Sequence, residues 1–294
     1  MELRVLQYFL AVAREQSISG AAESLHLSQP TLSTQLKNME EELGKQLMIR
    51  GTKGSRKIVL TEEGMILRKR AEEILELVKK TEREISLSDE QVAGDVYIGT
   101  GETDTVRIVA RTIRTLQKEH PDIRFHISSG NSVYVMEQLD RGLIDFGILY
   151  DSQNLSKYDS VKIPDKDIWG VLMRRDSPLA QKDYIEPQDL WDKPLILSRQ
   201  SAKGSLLADW MQKDFSKLNI AATYNLLFNG SLMVDEGVGY AVCLDKIINT
   251  SGTNLCFRPL KPRIEAEAYL VWKKYQIFPK AAGIFLERLQ KALA

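Results

Sequence analysis

The 294-residue chain is poor in the residues that metal centres, disulfide frameworks and nucleophilic catalysis depend on. It has two cysteines and three histidines. Cys243 and Cys256 lie apart in apolar, strand-like stretches, which reads as core residues or free thiols. His26, His120 and His126 have no metal-ligand spacing. No nucleophile elbow, phosphate loop or glycine-rich dinucleotide fingerprint occurs, and the carboxylates are scattered over helix surfaces. The sequence therefore offers no catalytic residue, no metal site and no cofactor, and an enzyme is not expected. No apolar run approaches membrane-spanning length, and the N-terminus is amphipathic where a signal peptide would be apolar. A cytoplasmic protein with no membrane partner is expected. Formal net charge is zero, so any affinity for nucleic acid must come from local charge placement.

What is present is a helical hairpin from Ile18 to Leu43. Ser19 to Leu25 is small and helical, with Ser17 placed to cap it. His26 and Leu27 turn the chain, and Ser28 is an N-cap followed by Pro30 in the first turn. Leu32, Leu36, Met39 and Leu43 recur at helical spacing and form the buried face. The opposite face carries Gln29, Thr31, Ser33, Thr34 and Lys37, short polar side chains with a single charge among them. Such a face suits base edges in a major groove, with the helix N-terminus near phosphate. A plain hairpin with a solvated polar face would show the same pattern. An earlier helix, Leu3 to Glu15, offers Leu6, Phe9, Leu10 and Ala13 to complete a three-helix core.

From Leu43 to Thr61 there is no acidic residue, while Lys45, Arg50, Lys53, Arg56 and Lys57 are basic. Gly51 and Gly54 permit a reversal between strands Leu47–Arg50 and Lys57–Leu60. This reads as a wing that carries positive charge to phosphates, or, taken alone, as a solvated basic turn. Thr61 caps a helix from Glu62 to about Ser88. Leu67, Ala71, Ile74, Val78, Thr81 and Ile85 form a heptad seam along it, narrow enough to need a partner helix.

The resemblance of this region to LysR-type transcriptional regulators is specific. Glu2-Leu3, Tyr8-Phe9, Ala11-Val12-Ala13, Ala21-Ala22, Leu25, Leu27-Ser28-Gln29-Pro30-Thr31-Leu32-Ser33, Leu36, Glu40-Glu41, Leu43-Gly44, Leu47, Arg50 and Leu60-Thr61-Glu62-Glu63-Gly64 fall in register with that family's signature. Thr34 departs from the arginine or glutamine frequent there, and Met48-Ile49 replaces Leu-Phe. The resemblance implies a bacterial, sequence-specific regulator that contacts double-stranded DNA through Ser28, Gln29, Pro30, Thr31, Ser33, Thr34, Lys37, Arg50, Lys53, Arg56 and Lys57. It implies a homodimer through the linker helix and a homotetramer beyond it. A dimer would present half-sites roughly one turn apart, ~34 Å.

After a polar hinge at residues 89–94 the period changes. Expected strands are Val96–Gly99, Ile123–Ser128, Ile144–Leu149, Ile168–Arg174, Leu195–Leu197, Tyr224–Leu227, Tyr240–Leu244 and Ala266–Lys273. Expected helices are Thr105–Glu119, Val133–Arg141, Leu206–Phe215, Leu232–Glu236 and Lys280–Leu293. The alternation predicts a parallel sheet, and the layout resembles the family's two-lobed, periplasmic-binding-protein-like effector domain. The fold class is thus α+β multidomain. A winged helix-turn-helix spans 1–61, and a linker helix and hinge span 62–91. The effector domain spans 92–294, with lobe I at 92–160 plus 266–294 and lobe II at 161–265, the chain returning near Lys261-Pro262-Arg263. Ligands of such sheets sit beyond strand carboxyl ends. That places an effector at Thr100, Gly101 and Thr103, at Ser129, Gly130 and Asn131, and at Ser198, Arg199 and Ser201. The hydroxyls and the lone guanidinium point to a small polar anion; each hydroxyl is also a plausible helix cap. Asn229-Gly230-Ser231 would cap a further helix at the cleft border. The expected function is DNA binding modulated by that effector. The alternative is a DNA-binding protein whose C-terminal lobes only oligomerise.

Overall fold

A computed structural model of the chain describes residues 1–50, 57–86, 92–150, 155–199 and 206–293. The chain divides into two compact units, Met1–Ser86 and Leu87–Ala294.

In the first unit, α1 (Leu3–Glu15), α2 (Ile18–Ser24) and α3 (Gln29–Leu43) precede a two-stranded antiparallel sheet of β1 (Met48–Arg50) and β2 (Ile58–Leu60), and α4 (Glu62–Ser86) follows. Ser17 Oγ accepts from Gly20 N–H, and Ser28 Oγ from Thr31 N–H. Both caps satisfy amides that a helix start leaves orphaned. Val5, Leu6, Phe9, Val12, Ala21, Leu32, Leu36 and Met39 are buried together. Leu43 is not part of this core; it is 41% exposed, because the helix ends there at left-handed Gly44. Leu10 and Ala13 are only half-buried, and Ala11 and Val12 take the inner positions instead. Two contacts set the sheet against the helices. Glu40 Oε1 accepts from the N–H groups of Leu47 (2.7 Å) and Met48 (3.1 Å). Ile58 N–H donates to Gln16 O at 2.8 Å.

The heptad seam of α4 serves two purposes. Ala71 is fully buried, and Leu67, Ile74 and Leu75 pack on the core of the first unit. Ile85, toward the far end, is 79% exposed, and Leu77, two turns earlier and just off the seam, is exposed as well. The amino-terminal half of the seam is therefore consumed by the unit's own core.

The second unit contains β3 (Gly94–Thr100), α5 (Val106–Glu119), β4 (Ile123–Ser129), α6 (Ser132–Asp140), β5 (Phe146–Tyr150), β6 (Tyr158–Arg174), β7 (Leu195–Ser198), α7 (Leu206–Met211), β8 (Ile220–Tyr224), α8 (Leu227–Asp235), β9 (Tyr240–Leu244), β10 (Leu255–Pro259), β11 (Glu265–Lys273) and α9 (Lys280–Leu293). The strand order is β4-β3-β5-β11-β6-β9-β7-β8, with β10 on β6. The sheet is mixed. β3 is parallel to β4 and β5, and β7 to β8 and β9. By contrast β11 runs antiparallel to β5 and β6, and β6 to β9 and β10.

The antiparallel pairs arise because β6 is a 17-residue strand that serves both lobes. Its first part, to Ile168, pairs with β11, and from Trp169 onward it pairs with β9. The short apolar run Ile168–Arg174 is only its second half. The first half reads as irregular, since Asp159, Lys162, Pro164, Asp165, Lys166 and Asp167 interrupt its apolar alternation. The return segment lies beside the same point, Leu260 N–H donating to Trp169 O and Trp169 N–H to Ile264 O. One lobe buries Val96, Ile98, Phe146, Leu270 and Phe285, the Phe146 and Phe285 rings being 5.3 Å apart. The other buries Val171, Leu195, Trp210, Met211 and Val242.

Candidate DNA interface and effector cleft

Helix α3 presents Ser28, Gln29, Pro30, Thr31, Thr34 and Lys37 as exposed residues, with Ser33 half-buried. Several are already engaged locally. The Ser28 and Thr31 hydroxyls share a 2.7 Å hydrogen bond. Thr34 Oγ1 donates to Pro30 O at 2.9 Å, which turns its hydroxyl onto its own helix and leaves the methyl as its remaining contact group. Lys37 pairs with Glu41 at 3.3 Å with both side chains solvated, a weak pair that a phosphate can replace. Gln29, at the helix start, keeps an amide able to bond adenine bidentately. Lys57 is exposed at the foot of β2. Arg50 ends β1, and Lys53 and Arg56 lie outside the described residues.

In the second unit, Thr100, Gly101, Thr103 and Ser129 line one cleft of about 370 Å³, together with Glu102, Arg107, Lys246 and Ile247. It lies beyond the ends of β3 and β4, and Lys246 and Ile247 reach it from the end of β9. The other expected ligand residues are not in its wall. Asn131 Oδ1 caps α6 by accepting from Tyr134 N–H, and Gly130 N–H donates to Thr100 O at 2.9 Å. Ser198 ends β7, and Arg199 is exposed, its N–H donating to Tyr224 O. Ser201 lies outside the described residues. Helix α8 starts at Leu227, so Asn229-Gly230-Ser231 is inside it and Ser231 Oγ donates to Phe228 O.

A second, smaller cleft of about 250 Å³ is lined by Asp104, Thr105, Arg107, Arg111, Lys166, Asp167, Asp245 and Lys246. Asp167 on β6 is buried. Its Oδ2 accepts from Thr103 Oγ1 at 2.6 Å, from Thr105 Oγ1 at 2.8 Å and from the Tyr150 hydroxyl. Burial first, and then the Asp167 charge, pushes the Tyr150 phenol far above its usual range, so it remains a donor. In the wall of the larger cleft, the Glu102 carboxylate accepts from Leu227 N–H at the start of α8. Asp104 pairs with Arg107 and stands 4.0 Å from Lys246. Of the donors that the sequence offers to an outside anion, the Thr103 hydroxyl is bonded to one of the chain's own carboxylates, and the Thr105 and Tyr150 hydroxyls and the Leu227 N–H, which the sequence does not single out, are bonded to carboxylates likewise. Asp167 lies one residue before the expected strand Ile168–Arg174, in the half of β6 that no expected strand covers. Glu102 is one carboxylate among many, and only topology sets it against α8. Both cysteines are buried and free, and burial raises the Cys243 thiol well above its usual range, keeping it protonated.

Residues 3–65 match the family model for bacterial regulatory helix-turn-helix proteins of the lysR family, and residues 89–294 match that for the LysR substrate binding domain. The chain is 32% identical over 222 residues to the HTH-type transcriptional regulator BsdA of Bacillus subtilis, covering 75% of this chain and 74% of that one. It is 28% identical to the Hca operon transcriptional activator HcaR of Escherichia coli, covering 100% of this chain and 99% of that protein. In fold it resembles full-length CbnR complexed with its target DNA, at a TM-score of 0.77 and 19% identity, covering 99% of this chain and 100% of that one.

Proposed function

The chain belongs to the LysR family of transcriptional regulators, and on that premise we propose how its residues divide the work of DNA binding and effector sensing. The carrying observation is the exposed polar face of α3, delivered on a capped helix start whose back is the core of the first unit. Gln29 and Thr31 read base edges, and the Thr34 methyl meets a thymine methyl. Ser28, Lys37, Arg50, Lys53, Arg56 and Lys57 hold phosphates, which sets register without specifying sequence. The exposed end of α4 pairs with a second copy, and two copies read a two-fold-related site. Higher assembly into a tetramer follows the family pattern. A small molecule enters the cleft walled by Thr100, Thr103, Ser129 and Lys246 and favours one arrangement of the lobes, which biases the oligomer on DNA. The protein works in the cytoplasm and catalyses no reaction.

Competition binding at several salt concentrations, with the chain's own upstream region and random duplexes, tests the first part. Gln29→Ala or Thr31→Ala changes the preference between duplexes. Lys57→Ala weakens all of them alike and flattens the salt slope by about one ion. Preference unmoved by the α3 substitutions would refute the base-reading assignment. DNA binding unmoved by any of a metabolite panel would refute the effector assignment and favour a C-terminal unit that only oligomerises.

A further inference from the structure

The second unit contains two places chemically suited to an anion, and both hold a carboxylate of the chain itself. One is the start of α8. Its N-cap residue is Leu226, which offers no side-chain acceptor, and Glu102 serves instead from 125 residues earlier in the chain. The other is the hydroxyl trio of Thr103, Thr105 and Tyr150, which converges on Asp167. Helix-terminal amides and hydroxyls bind external and internal carboxylates by the same chemistry, so an entering anion would have to displace one. It would also sit beside the charge it displaced, and like charges at one site disfavour each other. The nearby cations give little relief, since Arg107 already pairs with Asp104 and Lys246 stands close to it. Glu102 Oε1 and Asp167 Oδ1, by contrast, have no hydrogen-bond donor among the described residues and keep their capacity to accept one.

We propose that Glu102 is a specificity-determining residue of the cleft: a built-in counter-ion that occupies the anion seat, turns carboxylate and phosphate effectors away, and leaves the site to neutral or ammonium-bearing molecules. This rests on the reading of the cleft as an effector site. It reverses the charge of the effector that the hydroxyl pattern alone suggests, because the structure supplies the anion internally.

The test is chemical rescue in the full chain. Glu102→Ala removes the internal carboxylate, and acetate, its nearest free equivalent, is titrated against chloride at equal ionic strength. Unfolding is followed by tryptophan fluorescence, which reports on this unit because all four tryptophans, Trp169, Trp191, Trp210 and Trp272, lie within it. The variant is expected to unfold at lower temperature than the wild type and to recover saturably with acetate, while the wild type responds to acetate and chloride equally. If the alanine variant does not fold, Glu102→Ser, whose side chain is too short to reach the Leu227 N–H, enters the same titration, and acetate again stabilises it more than the wild type. Equal acetate stabilisation of wild type and variant, or none in the variant, overturns the proposal. No DNA enters the measurement, so this failure is separate from failure of the effector reading, which appears as DNA binding that no metabolite moves.

Discussion

Thr103 donates its hydroxyl to Asp167 Oδ2 at 2.6 Å, joining the loop after β3 to the strand that runs through both lobes. Thr105 and Tyr150 donate to the same oxygen. Asp167→Asn keeps the shape but replaces the charged acceptor with a weaker one and introduces an amide among donors. The expected loss is about 1–3 kcal/mol, the range for disturbing a buried, charge-assisted hydrogen-bonded group. Thr103→Ala costs less, because two donors remain. Urea unfolding followed by tryptophan fluorescence measures both, and Asp167→Asn at or above wild-type stability would contradict this account.

Gly64 reverses an ordinary expectation. In the first turn of α4, glycine to alanine usually stabilises by about 0.5–1 kcal/mol. Here a Cβ at position 64 would overlap the Leu47 carbonyl oxygen. The helix start is held tightly against this loop, with Thr61 Oγ1 capping Gly64 N–H at 3.0 Å and donating to Gln46 O at 2.8 Å. Gly64→Ala should therefore destabilise the first unit by about 1–3 kcal/mol, as overpacking does. Thermal unfolding followed by the helical circular dichroism of the full chain checks it.

What could be read directly was whatever had local cause. Ser17, Ser28 and Thr61 were legible as caps because a cap acts within three residues of itself, and α1, α9, β9 and nearly all of β11 followed from unbroken apolar periods. What escaped depended on distance. Helix α8 begins at Leu227 with Glu102 accepting from its first N–H, so the local sequence, whose N-cap position is the apolar Leu226, places the start too late. β6 runs ten residues further back than its apolar stretch because β11 lends it a hydrogen-bonding edge across an alternation spoiled by charge. β10 was missed outright, being five residues that become a strand only by pairing with β6. A cleft at the ends of β3 and β4 was legible as a location. Its electrostatics were not, since they depend on Asp167 and Glu102 meeting partners far off in sequence.

Glu119 and Arg288 form a two-pronged pair between α5 and α9, with donor–acceptor distances of 2.9 and 2.5 Å. The Arg288 hydrogen bonds hold the Glu119 carboxyl below its ordinary value of 4.5, against a smaller opposing effect of desolvation. A folded-state value below the unfolded one means the folded state holds its proton more weakly. The pair's contribution is then complete above the unfolded value and disappears as pH falls through the folded one. Wild type should exceed Glu119→Gln in stability at neutral pH, and the gap should close progressively below about pH 4.5. The pair is solvated, so the gap should also shrink in high salt. A gap independent of pH would assign the effect to packing of the side chain and not to its charge.

The last prediction concerns which part of the heptad seam remains for a partner. Leu67, Ala71 and Ile74 are packed on the first unit's core, so substituting them damages folding and says nothing clean about association. Ile85 on the seam and Leu77 just off it are exposed, and burying an exposed leucine or isoleucine at an interface contributes about 1.5–3 kcal/mol per side chain. Ile85→Glu should therefore raise the dimer dissociation constant by roughly tenfold or more while leaving the thermal unfolding of a monomeric sample unchanged. Ala71→Glu should instead lower stability outright, since it places a charge in a fully buried position. Sedimentation velocity over a concentration series separates the two effects. If Ile85→Glu and Leu77→Glu both leave the association constant unchanged, α4 is not the dimerisation element, and the spacing of the two recognition helices must be set by the second unit.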